Sequence, residues 1–258
     1  MPNHYFIVLC YLVIQMFIVW LIAEAKKNPA IVDMFWPIGL VVSGFVYLGS
    51  DSINSRLCII AIILLLWGLR LAGYLYFTRI KKGIYDKRYA SLYYPSYLKQ
   101  SISYLINYEV QACFIFILSS VFVFISAQNY SKLSKLDMLG IMLSLVGIGG
   151  EWVSDYQLEL FKKNNHGKNK VCDVGLWYYS RHPNYFFDWL TWCGFALCGL
   201  SANYGWIGLV SPLLLYTIMS NMTGPITERN SVMSRGRAYL EYQKSTSMFF
   251  PWFKKKRL

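Results

Sequence analysis

The chain has 258 residues, of which 56% are hydrophobic, 18% aromatic and only 15% charged. Soluble domains carry about 25% charged residues, so this composition excludes an ordinary soluble protein and predicts an integral membrane protein. The net charge of +12 does not indicate a nucleic-acid partner, because the basic residues flank long apolar runs and therefore face lipid head groups or an anionic ligand.

Seven apolar runs are long enough to be membrane-spanning helices, since one span takes about 20 mostly apolar residues. They cover residues 5–23, 30–49, 57–78, 110–128, 137–160, 185–202 and 205–222. The last two runs are separated only by Asn203 and Tyr204. The sequence therefore predicts an all-α, multi-pass transmembrane bundle of about seven spans, with six spans as the alternative.

The distribution of Lys and Arg predicts the orientation of these spans. The predicted inner segments hold 21 of these residues, whereas the predicted outer loops hold only Arg56, Lys132 and Lys135. The inner segments are 24–29, 79–109, 161–184 and 223–258. Because basic loops stay in the cytoplasm, the N-terminus is expected outside and the C-terminus inside. This orientation needs an odd number of spans, which favours seven.

The cysteines and histidines do not predict a metal site. Five of the six cysteines lie inside or beside apolar runs, none forms a Cys-x-x-Cys pair, and the chain has only three histidines. We interpret the cysteines as buried free thiols.

Several ionisable residues lie within the predicted spans, namely Asp33, Arg70, Glu151, Asp155 and Asp188. Such residues are costly in a bilayer and usually face the interior of the bundle. Glu151 and Asp155 are expected on one helix face, just after the small residues 147–150, which suit close helix packing. Asp33 has no basic neighbour in its own span, which favours a functional role, whereas the other acids could simply pair with Arg70 or with surface lysines.

The stretch from Gly175 to Asp188 concentrates polar groups immediately before a predicted span. Arg181, His182 and Asn184 supply a cation, a titratable ring and an amide within four residues. An amide donates and accepts hydrogen bonds, which suits a carboxamide, while clustered basic residues suit phosphate groups. The pattern predicts a ligand site at the membrane surface.

Four segments resemble the membrane family called steroid 5-alpha-reductase-like, a group long carried as a domain of unknown function. They are Asn28–Trp36, Ser154–Phe161, Gly175–Tyr185 and Arg235–Trp252. The Ser-Arg-His-Pro-Asn-Tyr core is shared more loosely with sterol reductases and isoprenylcysteine carboxyl methyltransferases. The resemblance implies one membrane domain over residues 1–258, with a substrate cavity open to lipid. Residues 1–109 would form the lipid-substrate side and residues 110–258 the cofactor-binding half.

Steroid 5-alpha-reductases bind NADPH from the cytoplasmic side, so the resemblance also implies cofactor contacts. Asn184 would hold the nicotinamide carboxamide. The other cofactor positions implied by the match or by the motif are Asp155, Lys162, Lys170, Arg181, His182, Arg229, Arg235 and Tyr242. The family has arginines where this chain has Lys162 and Lys170, and lysine lacks the bidentate fork of arginine. The choice between NADPH and NADH therefore stays open.

The family polarises the substrate carbonyl with a Gln-Glu pair in the second span and a tyrosine in the third. The counterparts here are Asp33 and either Tyr74 or Tyr76. A protonated Asp33 would donate a hydrogen bond, because an apolar setting disfavours the carboxylate. Val32 precedes Asp33, so the second member of the pair is missing and a steroid substrate is not implied.

The leading hypothesis is an NADPH-dependent reductase of a carbon–carbon double bond in a lipophilic enone that enters from the bilayer. The alternative enzyme is a methyltransferase that uses S-adenosylmethionine and acts on a lipid or a prenylated thiol. A non-catalytic lipid-binding protein is the third reading, because the acid pair is incomplete at Val32. The expected location is a bacterial inner membrane or the endoplasmic reticulum.

Overall fold

The computed structural model describes residues 2–49, 54–83, 96–128, 130–165 and 170–254. Parts of the predicted inner segments 79–109, 161–184 and 223–258 lie outside these ranges. Eleven α-helices form within the described residues, and no strand does. They are α1 (Pro2–Lys26), α2 (Ile31–Leu48), α3 (Ser55–Leu75), α4 (Tyr97–Ser119), α5 (Val121–Ser126), α6 (Lys135–Asn164), α7 (Leu176–Tyr179), α8 (Pro183–Gly199), α9 (Val210–Thr217), α10 (Gly224–Arg235) and α11 (Arg237–Ser245).

Short helical segments of other types extend these helices. Residues Tyr76–Ile80 continue α3 as a π-helix, and Ile218–Thr223 join α9 to α10 in the same way. Gly205–Leu209 form a 3₁₀-helix before α9. The predicted all-α fold is confirmed for the part of the chain that is described.

Six of the described helical stretches are long and apolar enough to cross a membrane, which confirms a multi-pass membrane protein. They are Asn3–Lys26, Ile31–Leu48, Ser55–Ile80, Tyr97–Ser126, Lys135–Asn164 and Gly205–Arg235. The predicted span 185–202 corresponds to α8, which has only 17 residues. It is one residue shorter than Ile31–Leu48, the shortest of the six stretches. By length, the structure therefore favours six full spans over seven.

The part of the predicted inner segment 79–109 that follows residue 96 is helical. Helix α4 begins at Tyr97, whereas hydropathy placed the start of this span at residue 110. The early turns of α4 bury Ser101, Tyr104 and Tyr108 at helical spacing. Their side chains are too polar to register as an apolar run, but the Tyr108 hydroxyl donates to the Pro29 carbonyl at 2.6 Å. Burial of one face thus extends the helix beyond its apolar part.

The described chain divides into two compact units. The first unit comprises residues 1–138 and 195–211, and the second comprises residues 139–194 and 212–258. In the first unit α2 packs against α3 and α1 packs against α4. Its largest fully buried side chains include Trp67, Tyr108 and Phe122.

The sequence predicted that Arg56 lies in an outer loop, and this prediction is wrong. Arg56 lies in the first turn of α3 with its side chain fully buried. Its guanidinium forms a salt bridge with Asp137, at 2.8 Å from Nη2 to Oδ1. Further N–H groups donate to the carbonyls of Ile125 and Cys198 and to the amide oxygen of Gln128. Since a buried charge is tolerated only when it is paired, this network explains how Arg56 is accommodated.

In the second unit α6 and α8 pack at close range. A Cβ atom on Gly147 would lie 2.6 Å from the Phe187 carbonyl oxygen and 2.7 Å from the Thr191 nitrogen. The Ser144 hydroxyl, about one turn away, donates to the Thr191 carbonyl at 3.0 Å. The predicted close packing is confirmed at Gly147, because only a residue without a Cβ fits this contact.

We expect Gly147→Ala to destabilise the second unit by about 1–3 kcal/mol, since the new methyl group would press on backbone atoms that cannot move aside. Thermal unfolding of the detergent-purified protein measures this effect. Gly149→Ala is the matched control, because a Cβ there would meet no atom within 4 Å. Equal changes in unfolding temperature for the two variants would contradict the expectation.

Candidate functional site

The polar motif forms the turn between α7 and α8 in the second unit. Gly175 precedes α7 with φ of +60°, a conformation that favours glycine. A Cβ at this position would also lie 2.5 Å from the Gln157 side-chain oxygen, which accepts the Leu176 N–H at 2.9 Å. Pro183 then begins α8, where its missing N–H costs no helical hydrogen bond.

The C-terminal segment runs alongside this turn and is bonded to it. Arg181 N donates to the Ser247 carbonyl at 2.8 Å, and Ser180 and Ser247 form an isolated parallel bridge. The Trp252 N–H donates to the Tyr179 carbonyl at 2.9 Å. The turn is thus held by backbone groups that lie 65 or more residues away in sequence.

Arg181 holds several elements of the second unit together. Its Nε and Nη2 donate to the two carboxylate oxygens of Glu228 at 2.6 and 3.1 Å, which is a bidentate pair. Its Nη1 donates to the carbonyls of Gln243 and Thr246 at 2.9 and 2.6 Å. Four of the five N–H groups of the guanidinium are therefore engaged by the protein itself.

His182 shares the same carboxylate. Its Nε2 lies 3.2 Å from Glu228 Oε1, and its ring stacks on that of Tyr185 at 4.9 Å between centroids. Gln243 Nε2 donates to the other Glu228 oxygen at 2.8 Å. The sequence analysis missed Glu228, although an acid directly beside Arg229 in the basic tail was the signal that could have indicated it.

Asn184 and Asp155 form the second polar contact of the site. Asn184 Nδ2 donates to Asp155 Oδ1 at 3.3 Å, an orientation that keeps the amide oxygen away from the carboxylate. The Asn184 Oδ1 atom is buried and has no hydrogen-bond partner among the described residues. Asp155, Glu151 and Asp188 are buried, as expected for charges that face the interior of a bundle. The buried amide oxygen is an acceptor that can bind an N–H group of a ligand.

The basic residues predicted to contact a cofactor are more exposed. Arg235 Nε donates to the Lys170 carbonyl at 3.1 Å, which brings these two predicted residues together. Lys162 pairs with Glu159 at 2.7 Å on the surface of α6, and Arg229 is exposed on α10. These side chains are accessible to an anion.

Tyr242 packs in the interior of the second unit. It is buried, and its hydroxyl donates to the Trp177 carbonyl and lies 3.1 Å from the Ser180 carbonyl oxygen. Burial raises the pKa of Tyr242 well above its ordinary value. The structure therefore places Tyr242 behind the turn, where it supports the backbone.

Cys172 is expected to be unreactive toward alkylating reagents. The residue is buried, and burial raises the pKa of its thiol to about 11, so the reactive thiolate is scarce below that pH. Mass spectrometry after iodoacetamide treatment between pH 7 and 9 should show Cys172 unmodified in the folded protein. The same treatment in denaturing detergent should modify it, and rapid modification of the folded protein would contradict the expectation.

The three residues predicted to act on the substrate lie in the first unit. Asp33 Oδ2 pairs with Arg79 Nη1 at 2.6 Å, and the side chains are 12% and 34% exposed. The basic neighbour that Asp33 lacks in its own helix is thus supplied by the π-helical end of α3. A proton-donor role for Asp33 requires a neutral carboxyl group, whereas the structure pairs it with a cation.

Tyr74 and Tyr76 differ in their surroundings. The Arg70 guanidinium lies 5.9 Å from the centre of the Tyr74 ring, so Arg70 and Tyr74 share a face of α3. Tyr76 is 41% exposed at the start of the π-helix. Tyr74 is therefore the better enclosed of the two candidate tyrosines.

Comparison with known proteins gives a family without an assigned activity. The family described as "Protein of unknown function (DUF1295)" matches residues 19–246. The chain is also similar to the uncharacterized protein C594.04c of Schizosaccharomyces pombe, with 24% identity over 269 aligned residues that cover 91% of this chain and 76% of that protein. No solved structure matches the chain. Since the family match covers most of the chain, the protein belongs to the DUF1295 family.

Proposed function

We propose that this protein is an NADPH-dependent reductase of a carbon–carbon double bond in a lipophilic substrate. The observation that carries the proposal is the buried amide oxygen of Asn184, which accepts no hydrogen bond from the described part of the chain and whose amide group Asp155 orients. The resemblance of the surrounding Ser180–Tyr185 turn to steroid 5-alpha-reductase-like proteins adds support. When bound, NADPH would supply the hydride for the reduction.

The fit of the cofactor rests first on Asn184. Its Oδ1 can accept a hydrogen bond from the carboxamide N–H of the nicotinamide. The ion-dipole contact with Asp155 at 3.3 Å keeps Nδ2 on the far side, so that the acceptor is presented before the ligand arrives. A buried acceptor with no partner is costly, and a ligand N–H would remove that cost.

The phosphate groups would bind at the exposed cations. Lys170 and Arg235 are adjacent through their hydrogen bond, and Arg229 lies on α10, the helix that ends at Arg235. Arginine suits a phosphate through paired N–H donors, and lysine adds charge. Arg181 and His182 would act indirectly, because their contacts with Glu228 hold the turn that carries Asn184.

Polarisation of the substrate carbonyl is assigned to Tyr74 or Tyr76 rather than to Asp33. The carboxylate of Asp33 is engaged by Arg79, whereas a tyrosine hydroxyl donates a hydrogen bond without a prior change of charge. A hydrogen bond to the carbonyl stabilises the negative charge that develops there when hydride adds to a conjugated double bond.

Ligand-dependent thermal stability tests the proposal. A ligand at about 100 times its dissociation constant stabilises a protein by about 2.7 kcal/mol. We expect NADPH to raise the unfolding temperature of the detergent-purified protein and S-adenosylmethionine to have no effect. The difference between the stabilisation by NADPH and that by NADH measures the contribution of the 2′-phosphate. Stabilisation by S-adenosylmethionine alone would replace the reductase by a methyltransferase, and no response to any of the three would leave a non-catalytic lipid-binding protein.

A further inference from the structure

Helix α6 carries two large aromatic side chains on its outer surface. Trp152 and Tyr156 are 66% and 64% exposed and lie one turn apart on the same face. The helix has 30 residues, which at 1.5 Å per residue makes it about 45 Å long. Because the hydrocarbon core is only about 30 Å thick, part of α6 must lie in the head-group region or beyond. Its last turn holds Lys162 and Lys163, so that end extends to the head-group region or beyond.

A second group of exposed aromatic residues lies at the end of the described chain. We call Tyr178, Tyr179, Trp252, Phe253 and Lys254 the terminal cluster. Trp252 and Phe253 are 72% and 74% exposed. The Phe253 ring lies 6.0 Å from that of Tyr179, and Lys254 Nζ lies 4.4 Å above the Tyr178 ring. The cluster is thus one continuous aromatic surface with a cation on it.

Two hydrogen bonds place the terminal cluster at a defined level along α6. The Trp177 indole N–H donates to the Ser154 carbonyl at 2.9 Å, and the Leu176 N–H donates to the Gln157 side chain at 2.9 Å. Helix α7 therefore lies beside residues 154–157. This is the level of Trp152 and Tyr156, so the two aromatic groups lie at one height along α6.

We propose that Trp152, Tyr156 and the terminal cluster form one aromatic belt that binds the head-group region of a lipid bilayer. Tryptophan and tyrosine are enriched at that depth, because their rings are apolar and their N–H and O–H groups are polar. Lys254 itself is paired with Asp173 at 3.1 Å, but the sequence continues with Lys255, Lys256 and Arg257, and such basic residues favour anionic lipids.

A bilayer is favoured over a protein partner because α6 itself is one of the helices able to cross a membrane. Any lipid that surrounds α6 must reach the level of Trp152 and Tyr156, and α7 is bonded to the helix at that level. Asp155 lies between these two aromatic residues in sequence and accepts the hydrogen bond from Asn184. The belt therefore sets the candidate ligand site at the membrane interface, whichever ligand the site binds.

The test is a measurement of depth with a fluorescent label at single cysteines. The background protein has alanine at the four cysteines that are not buried, namely Cys10, Cys58, Cys113 and Cys193, and it must take up no label by itself. Trp152→Cys, Phe253→Cys, Met142→Cys and Lys244→Cys are labelled separately and reconstituted in bilayers that contain phosphatidylglycerol. Nitroxide groups at the lipid head group or at the middle of the acyl chain quench labels at the corresponding depth.

We expect labels at residues 152 and 253 to be quenched most strongly by the head-group nitroxide. Met142 is 53% exposed on α6 and lies ten residues, or about 15 Å, from Trp152. Its label should respond to the deep nitroxide instead. Lys244 is on α11, with a side chain that is 73% exposed, and serves as the aqueous control.

Head-group quenching at residue 253 that exceeds the value at residue 244 by about two-fold or more supports the belt. Equal quenching at residues 253 and 244 would place the terminal cluster in water and overturn the proposal. Strong quenching of residue 253 by the deep nitroxide would also overturn it, because the cluster would then lie in the hydrocarbon. If the labels at residues 152 and 142 showed the same quenching depth, Trp152 would not lie in the head-group region, and the proposed level along α6 would be wrong.

Discussion

The variant Asn184→Ala is expected to lose the stabilisation that NADPH confers on the wild-type protein. The substitution removes the buried Oδ1 acceptor and leaves Asp155 without the amide that it orients. Loss of the full effect of a ligand at about 100 times its dissociation constant corresponds to about 2.7 kcal/mol. Thermal unfolding with and without NADPH, combined with reductase assays once a substrate is found, measures the change.

Asn203→Ala is the matched control for this variant, because Asn203 is exposed in the first unit. It should respond to NADPH like the wild type. The unfolding temperature of the ligand-free Asn184→Ala protein shows whether the fold is intact. A folded Asn184→Ala protein that still gains the full stabilisation would remove Asn184 from the cofactor site.

The variant Arg56→Ala is expected to destabilise the first unit by about 3–5 kcal/mol, which is typical when one member of a buried ion pair is removed. The carboxylate of Asp137 would stay buried without its cation, and the carbonyls of Ile125 and Cys198 would each lose a donor. Unfolding of the detergent-purified protein measures the effect.

Lys132→Ala, which removes an exposed cation, should change stability by no more than about 0.5 kcal/mol. The double variant Arg56→Met/Asp137→Leu should recover much of the lost stability, because it removes both charges and retains most of the volume. If Arg56→Ala and Lys132→Ala changed the free energy of unfolding by equally small amounts, the buried network would not stabilise the protein.

The spans could be predicted from the sequence because a bilayer selects for apolar length alone. The same criterion failed for the early part of α4, whose buried residues include Tyr104 and Tyr108. Hydropathy reports the average polarity of a window. It does not report which face of a helix is buried.

The motif around Asn184 could also be located from the sequence, because its polar residues are adjacent in the chain. The contacts that those residues make could not be predicted from the sequence. Arg181 was predicted at a cofactor position, but its guanidinium binds Glu228 and two backbone carbonyls. The sequence lists the charged residues, but it does not show which cation and which anion lie close together in the folded chain.

The sequence by itself determined that the protein is helical, that it spans a membrane several times, and that Asn184 belongs to a polar segment at the start of a helix. Only the tertiary structure decided the pairing of the charges. Asp33 and Arg79 are 46 residues apart, Arg181 and Glu228 are 47 apart, and Arg56 and Asp137 are 81 apart. Local propensity and hydropathy act over a few turns of chain, whereas the desolvation of a charge is offset by whichever partner the packing brings within hydrogen-bond distance.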